Sequence, residues 1–197
     1  FSKIEMKQMR ISVRKGDIMH FLEELSHIFD IVAGEREIDF IVNLEDTEEE
    51  VWFSPSKLER ILYNLLSNAF KYTQPGGYVK LSAKLIKEEK GTFVQISVKD
   101  NGRGIPKEAQ EQIFESYYQV EKRDHREGFG LGLSLTRSLI HMHKGEIRVE
   151  SEINKGSDFI VTLNVSEDAY NPDERSSENI TNEEIQQYNQ PIKEHIQ

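Results

Sequence analysis

The sequence predicts an α/β (α+β) fold in which helices cover one face of a mixed, mostly antiparallel β-sheet. Three helical patterns alternate with strand patterns in the order α-β-α-β-β-α-β-β. Two pairs of consecutive strands, 78–86 with 92–99 and 145–151 with 157–165, are joined by short polar or glycine-containing segments typical of antiparallel hairpins. Because parallel strands need long crossover connections, these hairpins exclude a purely parallel, doubly wound sheet.

Helix-start signals and apolar periodicity define the helices, and alternation defines the strands. The first helix starts after Asp17, the second at Ser54-Pro55 with a side-chain cap, and the third runs from Leu131 to Lys144 and ends at Gly145. Strands are expected from Ile38 to Leu44 and where apolar residues alternate before Asp100. The apolar faces are Ile18, Phe21, Leu22, Leu25, Ile28 and Phe29 in the first helix, and Leu58, Ile61, Leu62, Leu65, Leu66 and Ala69 in the second.

Composition and charge limit the function classes. The chain has 197 residues with 35 acidic against 25 basic side chains, a net charge of −10, which argues against nucleic acid or an anionic membrane surface as its main partner. Because it has no cysteine, it can form neither a disulfide nor a thiolate metal site. No run approaches the length of a membrane span, and no signal peptide is visible.

The chain divides into three parts. Residues 1–10 are polar, helix-compatible and too short to stand alone; the tail is assigned to 1–14, and residues 15–165 form one domain. In residues 166–197 the apolar period stops, and eight acidic but two basic residues indicate an acidic polar linker or disordered tail. Since the first residue is Phe, we expect the chain to be a fragment of a longer polypeptide.

Polar residues form a separate stripe on the second helix. Asn64, Asn68 and Lys71 lie roughly 120° from the centre of its apolar face, so they border the core without pointing into it. Two amides one turn apart offer neutral oxygens to a hard cation, and the lysine offers a positive charge to phosphate. A solvated helix flank would show the same pattern, and the helix alone does not decide between the two.

The segment Asp100-Asn101-Gly102-Arg103-Gly104 follows a predicted strand. Asp100 continues the apolar parity of that strand, so its carboxylate faces the interior and needs a donor such as the exocyclic amine of a base. Gly102 and Gly104 leave the backbone bare for a flat ligand. The alternative is a tight turn capped by the aspartate.

A glycine-rich loop leads directly into the third helix. It reads Gly128-Phe129-Gly130-Leu131-Gly132-Leu133, and the free N–H groups and positive dipole end of the helix would suit phosphate. The loop does not follow a strand, so the dinucleotide fingerprint of a Rossmann unit does not fit.

These segments resemble four motifs of one family in the same order. Leu58 to Tyr72, Asp100 to Pro106, Ile113 to Glu115 and Gly128 to Leu133 look like the N, G1, F and G2 boxes of the catalytic, ATP-binding domain of bacterial sensor histidine kinases, a two-layer α/β sandwich. The resemblance covers roughly Asp17 to Val165. It implies that residues 1–14 are the tail of a preceding helical hairpin domain.

The resemblance implies ATP and Mg²⁺ as cofactors and assigns roles within one pocket. Asp100 would accept from the adenine amine, Asn68 would ligate Mg²⁺ with Asn64 in support, and Lys71 would meet the phosphates. Asn64 and Lys71 would be the catalytic residues. The residues implied to bind ATP are Asn64, Asn68, Lys71, Tyr72, Asp100, Gly102, Gly104, Ile105, Gly128, Phe129, Gly130, Leu131, Gly132 and Leu133.

The implied partners are a histidine-bearing dimerisation hairpin domain of the same kinase and a response-regulator receiver domain. The parent would be a homodimeric sensor kinase of the ordinary or the hybrid type, and this part of it would be cytoplasmic and without direct membrane contact. Ser54 stands where the family usually has Asp, and it should cap equally well. The resemblance implies that 105–128 forms a lid anchored by Phe114, in which Lys122, Arg123, His125 and Arg126 could reach phosphates; a solvated basic turn is the alternative, since no register fixes which side chain points inward.

Three function classes remain open from the sequence. The first is a kinase that phosphorylates histidine, the second an ATP hydrolase of the wider superfamily, and the third a module that binds the nucleotide without transferring it. Superfamily hydrolases carry Glu at the place of Asn64, so the amide here disfavours hydrolysis. Structural or surface roles are favoured for His20 and His27, and for the pair His141 and His143 over a metal site.

Overall fold

The computed structural model describes residues 10–115 and 132–190. Its strands are β1 (Arg14–Asp17), β2 (Asp39–Leu44), β3 (Glu50–Phe53), β4 (Tyr78–Glu88), β5 (Gly91–Asp100), β6 (Glu146–Glu152) and β7 (Gly156–Asn164). Its helices are α1 (Ile18–Ser26), α2 (Ile28–Arg36), α3 (Pro55–Tyr72), α4 (Gly132–Met142) and α5 (Asn182–Gln186). In the described part of the chain, no helix is both long and apolar enough to span a bilayer.

The main sheet confirms the predicted fold class. Its five strands lie in the order β2-β4-β5-β7-β6, with β2 parallel to β4 and every other pair antiparallel. Both predicted hairpins are present, as β4 with β5 and β6 with β7. The sheet is therefore mixed and mostly antiparallel.

The core lies between one face of this sheet and the helices. Alternate residues of the central strands are buried, as the strand period requires, and so is the whole predicted apolar face of α3. The side chains in this layer include Val79, Leu81, Val94, Ile96, Val98, Leu58, Ile61, Leu62, Leu65, Leu66 and Ala69. The opposite edge of α3 is left to border the sheet end and α4.

The first helix differs from the prediction, because it is broken at His27. Asp17 caps α1 as expected and accepts a hydrogen bond from the His20 amide at 3.0 Å. The chain then turns at His27 into α2, and Glu37 ends α2 in the left-handed conformation. Apolar periodicity alone runs through the break, so it predicted one helix where the structure has two.

A second, small sheet lies beside the main one. β1 and β3 pair antiparallel from Arg14 opposite Phe53 to Asp17 opposite Glu50. Val13 is fully buried and Ile11 is 6% exposed, so these two residues, expected to lie in the tail of a preceding domain, pack with this domain.

The segment 166–190 is packed against this small sheet, whereas the sequence suggested a linker or disordered tail. Tyr170, Ile180 and Ile185 are buried. The Arg14 guanidinium pairs with both carboxylate oxygens of Glu184, at 2.5 and 2.8 Å, and the Ile180 amide donates to the Lys15 carbonyl at 2.8 Å. Isolated apolar residues in a polar segment carry no periodic signal, although each one fills a specific site in the domain.

Candidate functional site

The polar stripe of α3 borders the core as predicted. Asn64 and Asn68 are partly buried and Lys71 is exposed, while Leu65 and Leu66 beside them are buried. The Asn64 side-chain amide donates to the Gly132 carbonyl at 3.3 Å and to the Thr136 hydroxyl at 3.1 Å. The predicted asparagine stripe therefore touches the start of the helix that follows the glycine loop.

Asp100 is a buried carboxylate, as its parity predicted. It is 5% exposed, and its Oδ1 accepts from the Gly102 amide at 2.8 Å. Burial raises the pKa of Asp100. Hydrogen bonds from the backbone of Gly102 and Ser157 lower this pKa by smaller amounts, and the nearby charge of Asp158 raises it slightly. The Gly102 contact is the capping interaction of the turn interpretation, so the aspartate shapes the loop whether or not it also meets a base.

The two glycines of this loop are required by backbone packing. A Cβ on Gly102 would lie 2.4 Å from the Tyr72 carbonyl oxygen, and one on Gly104 would lie 2.0 Å from the Glu152 carbonyl oxygen. Gly104 also has φ of +71°, in the left-handed region. In the described residues, the missing side chains of Gly102 and Gly104 therefore allow the loop to pack against α3 and the end of β6.

The end of α3 meets the same loop. The Arg103 amide donates to the Tyr72 carbonyl at 3.4 Å, and the Arg103 guanidinium lies over the Tyr72 ring, 4.2 Å from its centroid. Ile105, the next predicted site residue, is partly buried and its amide donates to the Ser151 hydroxyl at 2.8 Å.

Both contacts of α3 fall along one edge of the helix. Asn64 touches α4, and Tyr72 touches the loop after β5, a separation of about 12 Å along the axis at the rise of an α-helix. Asn68 lies between them, one turn after Asn64. The structure therefore connects Asn64 to Gly132 and Tyr72 to the Asp100 loop through one helix.

Other predicted residues lie outside the described part. Gly128, Phe129, Gly130 and Leu131 fall there, as do the lid residues Lys122, Arg123, His125 and Arg126. Gly132 is the first residue of α4, and Leu133 packs on the core.

Phe114, which the resemblance implied to anchor a lid, packs on the core of the domain. Phe114 is 9% exposed and packs edge-on against the Phe159 ring, with centroids 6.3 Å apart. The segment that leads to Phe114 forms two 3₁₀ turns, Lys107–Ala109 and Gln112–Phe114.

Sequence analysis missed the role of the turn between β6 and β7. Gly156 has φ of +110°, and a Cβ there would lie 1.9 Å from the Asp100 carbonyl oxygen. Ser157 donates its backbone N–H to Asp100. In the sequence Gly156 indicates only a hairpin turn, and nothing there links it to a residue more than fifty positions earlier.

His143 has a structural role, and Ser54 does not cap as expected. The Ser54 side chain makes no capping hydrogen bond; instead its backbone amide donates to His143 Nε2 at 3.1 Å. His143 is fully buried, its Nδ1 donates to the Leu139 carbonyl at 3.0 Å, and burial lowers its pKa to about 4. Among the described residues, no cluster of three His, Cys, Asp or Glu side chains is placed to hold a metal.

His20 and His27 line a groove elsewhere on the domain. This groove, of about 930 Å³, lies between α1, α2 and β2 and contains none of the residues predicted to bind ATP. His27 Nδ1 lies 3.2 Å from an Asp30 carboxylate oxygen at an exposed site.

Known proteins similar to this chain include a protein family and a curated relative. A family model described as histidine kinase-, DNA gyrase B- and HSP90-like ATPase matches residues 53–167. Sensor histidine kinase WalK of Bacillus subtilis (strain 168) is 34% identical over 169 residues, which are 85% of this chain and 27% of WalK.

Two solved structures show the same fold. Full-length ShkA in complex with AMPPNP has a TM-score of 0.71 and 27% identity over 80% of this chain and 32% of ShkA. The catalytic domain of histidine kinase ThkA has a TM-score of 0.68 and 26% identity over 81% of this chain and 100% of that domain.

The fold and the matches together define a catalytic, ATP-binding module of the sensor histidine kinase class. The chain belongs to the family of histidine kinase-, DNA gyrase B- and HSP90-like ATPases. The resemblance inferred from the four motifs is thereby confirmed. The chain spans less than a third of the length of WalK and of ShkA.

Proposed function

We propose that this chain binds ATP with Mg²⁺ and transfers the γ-phosphoryl group to a histidine on an adjacent hairpin domain, in two-component signalling. The observation that carries the proposal is the meeting of three motifs along one edge of α3. Asn64 contacts the start of α4, and the end of α3 contacts the loop that follows Asp100. The four sequence motifs and the family match support the same assignment.

The base would bind at Asp100. A buried carboxylate whose pKa is raised by burial is stabilised by each added donor, and the exocyclic amine of adenine is such a donor. Tyr72, half-exposed beside this loop, would pack near the adenine or the ribose, and Gly102, Gly104 and Ile105 would shape the base pocket.

The phosphates and the metal would bind between α3 and the glycine loop. Asn68 is a neutral oxygen ligand in a partly exposed position, which fits Mg²⁺ because this ion keeps most of its ligands as water and phosphate oxygens. Bound Mg²⁺ would neutralise the developing phosphate charge. Lys71 would meet the phosphates, and backbone amides around Gly130 to Leu133 would hold the β- and γ-phosphates.

The reaction would depend on positioning and charge neutralisation. The bond between the γ-phosphorus and the bridging oxygen of ADP breaks, and a bond from phosphorus to a histidine ring nitrogen forms. Asn64 cannot act as a general base for water, because an amide does not accept a proton at neutral pH. This chemistry favours transfer over the hydrolysis that a Glu would support.

The nucleophile would lie in another domain of the same kinase, and the second partner would be a response regulator. We propose a dimerisation hairpin domain as the histidine donor and a receiver domain as the next acceptor, within a homodimeric parent whose catalytic part is cytoplasmic. Residues 15–165 are proposed as the catalytic domain, and the acidic segment that follows them is packed against it through Tyr170, Ile180 and Ile185.

A transfer assay tests this function. The chain is incubated with γ-labelled ATP and Mg²⁺, alone and with a histidine-bearing hairpin domain from the matching kinase. We expect label on the hairpin domain and almost none on the chain itself. Label accumulating on the isolated chain, or rapid release of phosphate without any acceptor, would contradict the proposal. The Asn68→Ala variant, which lacks the proposed metal ligand, is the matched control.

A further inference from the structure

We infer that Thr136 is a positioning residue for the nucleotide, because it fixes the direction in which the Asn64 side-chain amide points. The inference rests on the proposed function, in which Asn64 lies at the phosphate and metal end of the site. Thr136 is fully buried in the first turns of α4. Its hydroxyl lies 3.1 Å from Asn64 Nδ2 and 2.7 Å from the Gly132 carbonyl oxygen.

The chemistry of the two partners determines which end of the amide faces α4. The Gly132 carbonyl can only accept, so the Asn64 atom 3.3 Å from it must be the nitrogen. The Thr136 hydroxyl gives its proton to the same carbonyl, and its lone pairs then also face a donor. Both contacts therefore require the NH₂ group, and rotating the amide by 180° would place oxygen against oxygen.

This arrangement leaves the Asn64 oxygen directed away from the α4 backbone. Within the described residues no side chain or backbone group donates to that oxygen, although both hydrogens of the nitrogen are used. An oriented oxygen is the group that a hydrated cation or a phosphate-bound water would meet. Thr136 thus acts on the ligand through Asn64 and makes no contact of its own.

A purely structural role for Thr136 predicts a different outcome. Serine and threonine hydroxyls often bond to the carbonyl four residues earlier in a helix, and the loss of that bond alone would lower stability without changing ligand binding. Ser138 makes such a bond to the Ser134 carbonyl at 3.1 Å in the same helix. Ser138→Ala is therefore the matched control.

The test compares ATP affinity in the presence and absence of Mg²⁺ across variants of the full chain. Thr136→Val keeps the shape and removes the hydroxyl, Thr136→Ala removes it without crowding, and Thr136→Ser retains it. Losing one of two hydrogen bonds that orient Asn64 should weaken ATP binding with Mg²⁺ by about fivefold. Thr136→Ser and Ser138→Ala should stay within about twofold of wild type, and thermal unfolding establishes that each variant is folded.

A double-mutant cycle separates action through Asn64 from an independent effect. In an Asn64→Ala background, Thr136→Val should cause no further loss of affinity. A further loss of about fivefold in that background, or unchanged affinity in both Thr136→Val and Thr136→Ala, would overturn the inference. If the wild-type chain binds no ATP, the proposed function fails and the inference fails with it. ATP binding that is unaffected by Thr136 refutes the inference alone.

Discussion

Replacing Asp100 by Asn tests the base pocket most sharply. The side chain keeps its size, and at 5% exposure it has no room to leave the site. The carboxylate accepts from the Gly102 amide at 2.8 Å and from Ser157, and in our account it also accepts from adenine. An amide has one oxygen and one NH₂, so either rotamer of Asn places a donor against a donor.

The cost follows from the loss of one hydrogen bond to a charged group. Such a bond contributes about 1.5–3 kcal/mol, so ATP affinity should fall by about 10- to 150-fold. Tripolyphosphate should bind as before, because it lacks the base. Titration calorimetry of both ligands measures the difference.

The matched control is Asp158→Asn. Asp158 lies on the neighbouring strand and accepts from the Ser97 hydroxyl at 2.6 Å, so its loss removes a nearby carboxylate without touching Asp100's donors. We expect ATP affinity close to wild type in this variant. Unchanged ATP affinity in a folded Asp100→Asn variant, with weaker tripolyphosphate binding, would refute the assignment of the base pocket.

Three further predictions concern the free energy of unfolding. Arg14→Ala should lower the free energy of unfolding by about 1–2 kcal/mol, because it removes two hydrogen bonds to Glu184; since Arg14 also lowers the pKa of Glu184, this contribution should be lost as pH falls through the acidic range. Gly104→Ala should destabilise the protein by about 2 kcal/mol or more, because the added Cβ would lie 2.0 Å from a carbonyl oxygen. Gly34→Ala should instead stabilise the protein by about 0.5–1 kcal/mol, because this position in α2 has open space around it. His143 has a pKa of about 4 in the folded state and about 6.5 in the unfolded state. Between pH 6.5 and pH 4 the unfolded state therefore binds more protons, and the free energy of unfolding should fall by about 3 kcal/mol as the pH drops across this range.

Chemical denaturation measures all three. The Arg14 interpretation is refuted if Arg148→Ala, which breaks an exposed pair with Glu150, costs as much as Arg14→Ala. Equal effects of alanine at Gly104 and Gly34 would contradict the packing argument. A His143→Gln variant that loses stability in acid as steeply as wild type would show that another group titrates.

The main sheet and its helices could be predicted from the sequence because their signals are local. Alternation before Asp100, the spacing of Leu58 and Leu62 and short polar turns each act over a few residues. The break at His27 could not be predicted, since apolar residues continue through it. β1 and β3 were also missed, because each has only four residues and pairs with a partner far along the chain.

The extension after residue 165 shows where sequence reasoning ends. Tyr170, Ile180 and Ile185 are single apolar residues among polar neighbours, so composition suggested a linker. Their burial depends on shapes formed elsewhere, for example the space that Gly16 leaves for Ile180, where a Cβ would come within 2.8 Å. Such fits arise only in three dimensions.

The candidate site was predicted from residue types that are unusual at their positions. Asn64 and Asp100 were noticed because polar groups border or enter an apolar layer. The partners that hold them, Thr136, Gly156 and Ser157, looked ordinary in the sequence. Supporting residues of this kind are recognised from contacts, which the sequence does not contain.

Titration of the purified chain with ATP and GTP in the presence of Mg²⁺ tests the central claim most directly. The account predicts saturable heat with ATP, at close to one nucleotide per chain, and much weaker binding of GTP. Guanine has a carbonyl at the position where adenine has the amine from which Asp100 would accept a hydrogen bond. No heat at millimolar ATP would contradict the claim that α3, the Asp100 loop and the start of α4 enclose one adenine nucleotide.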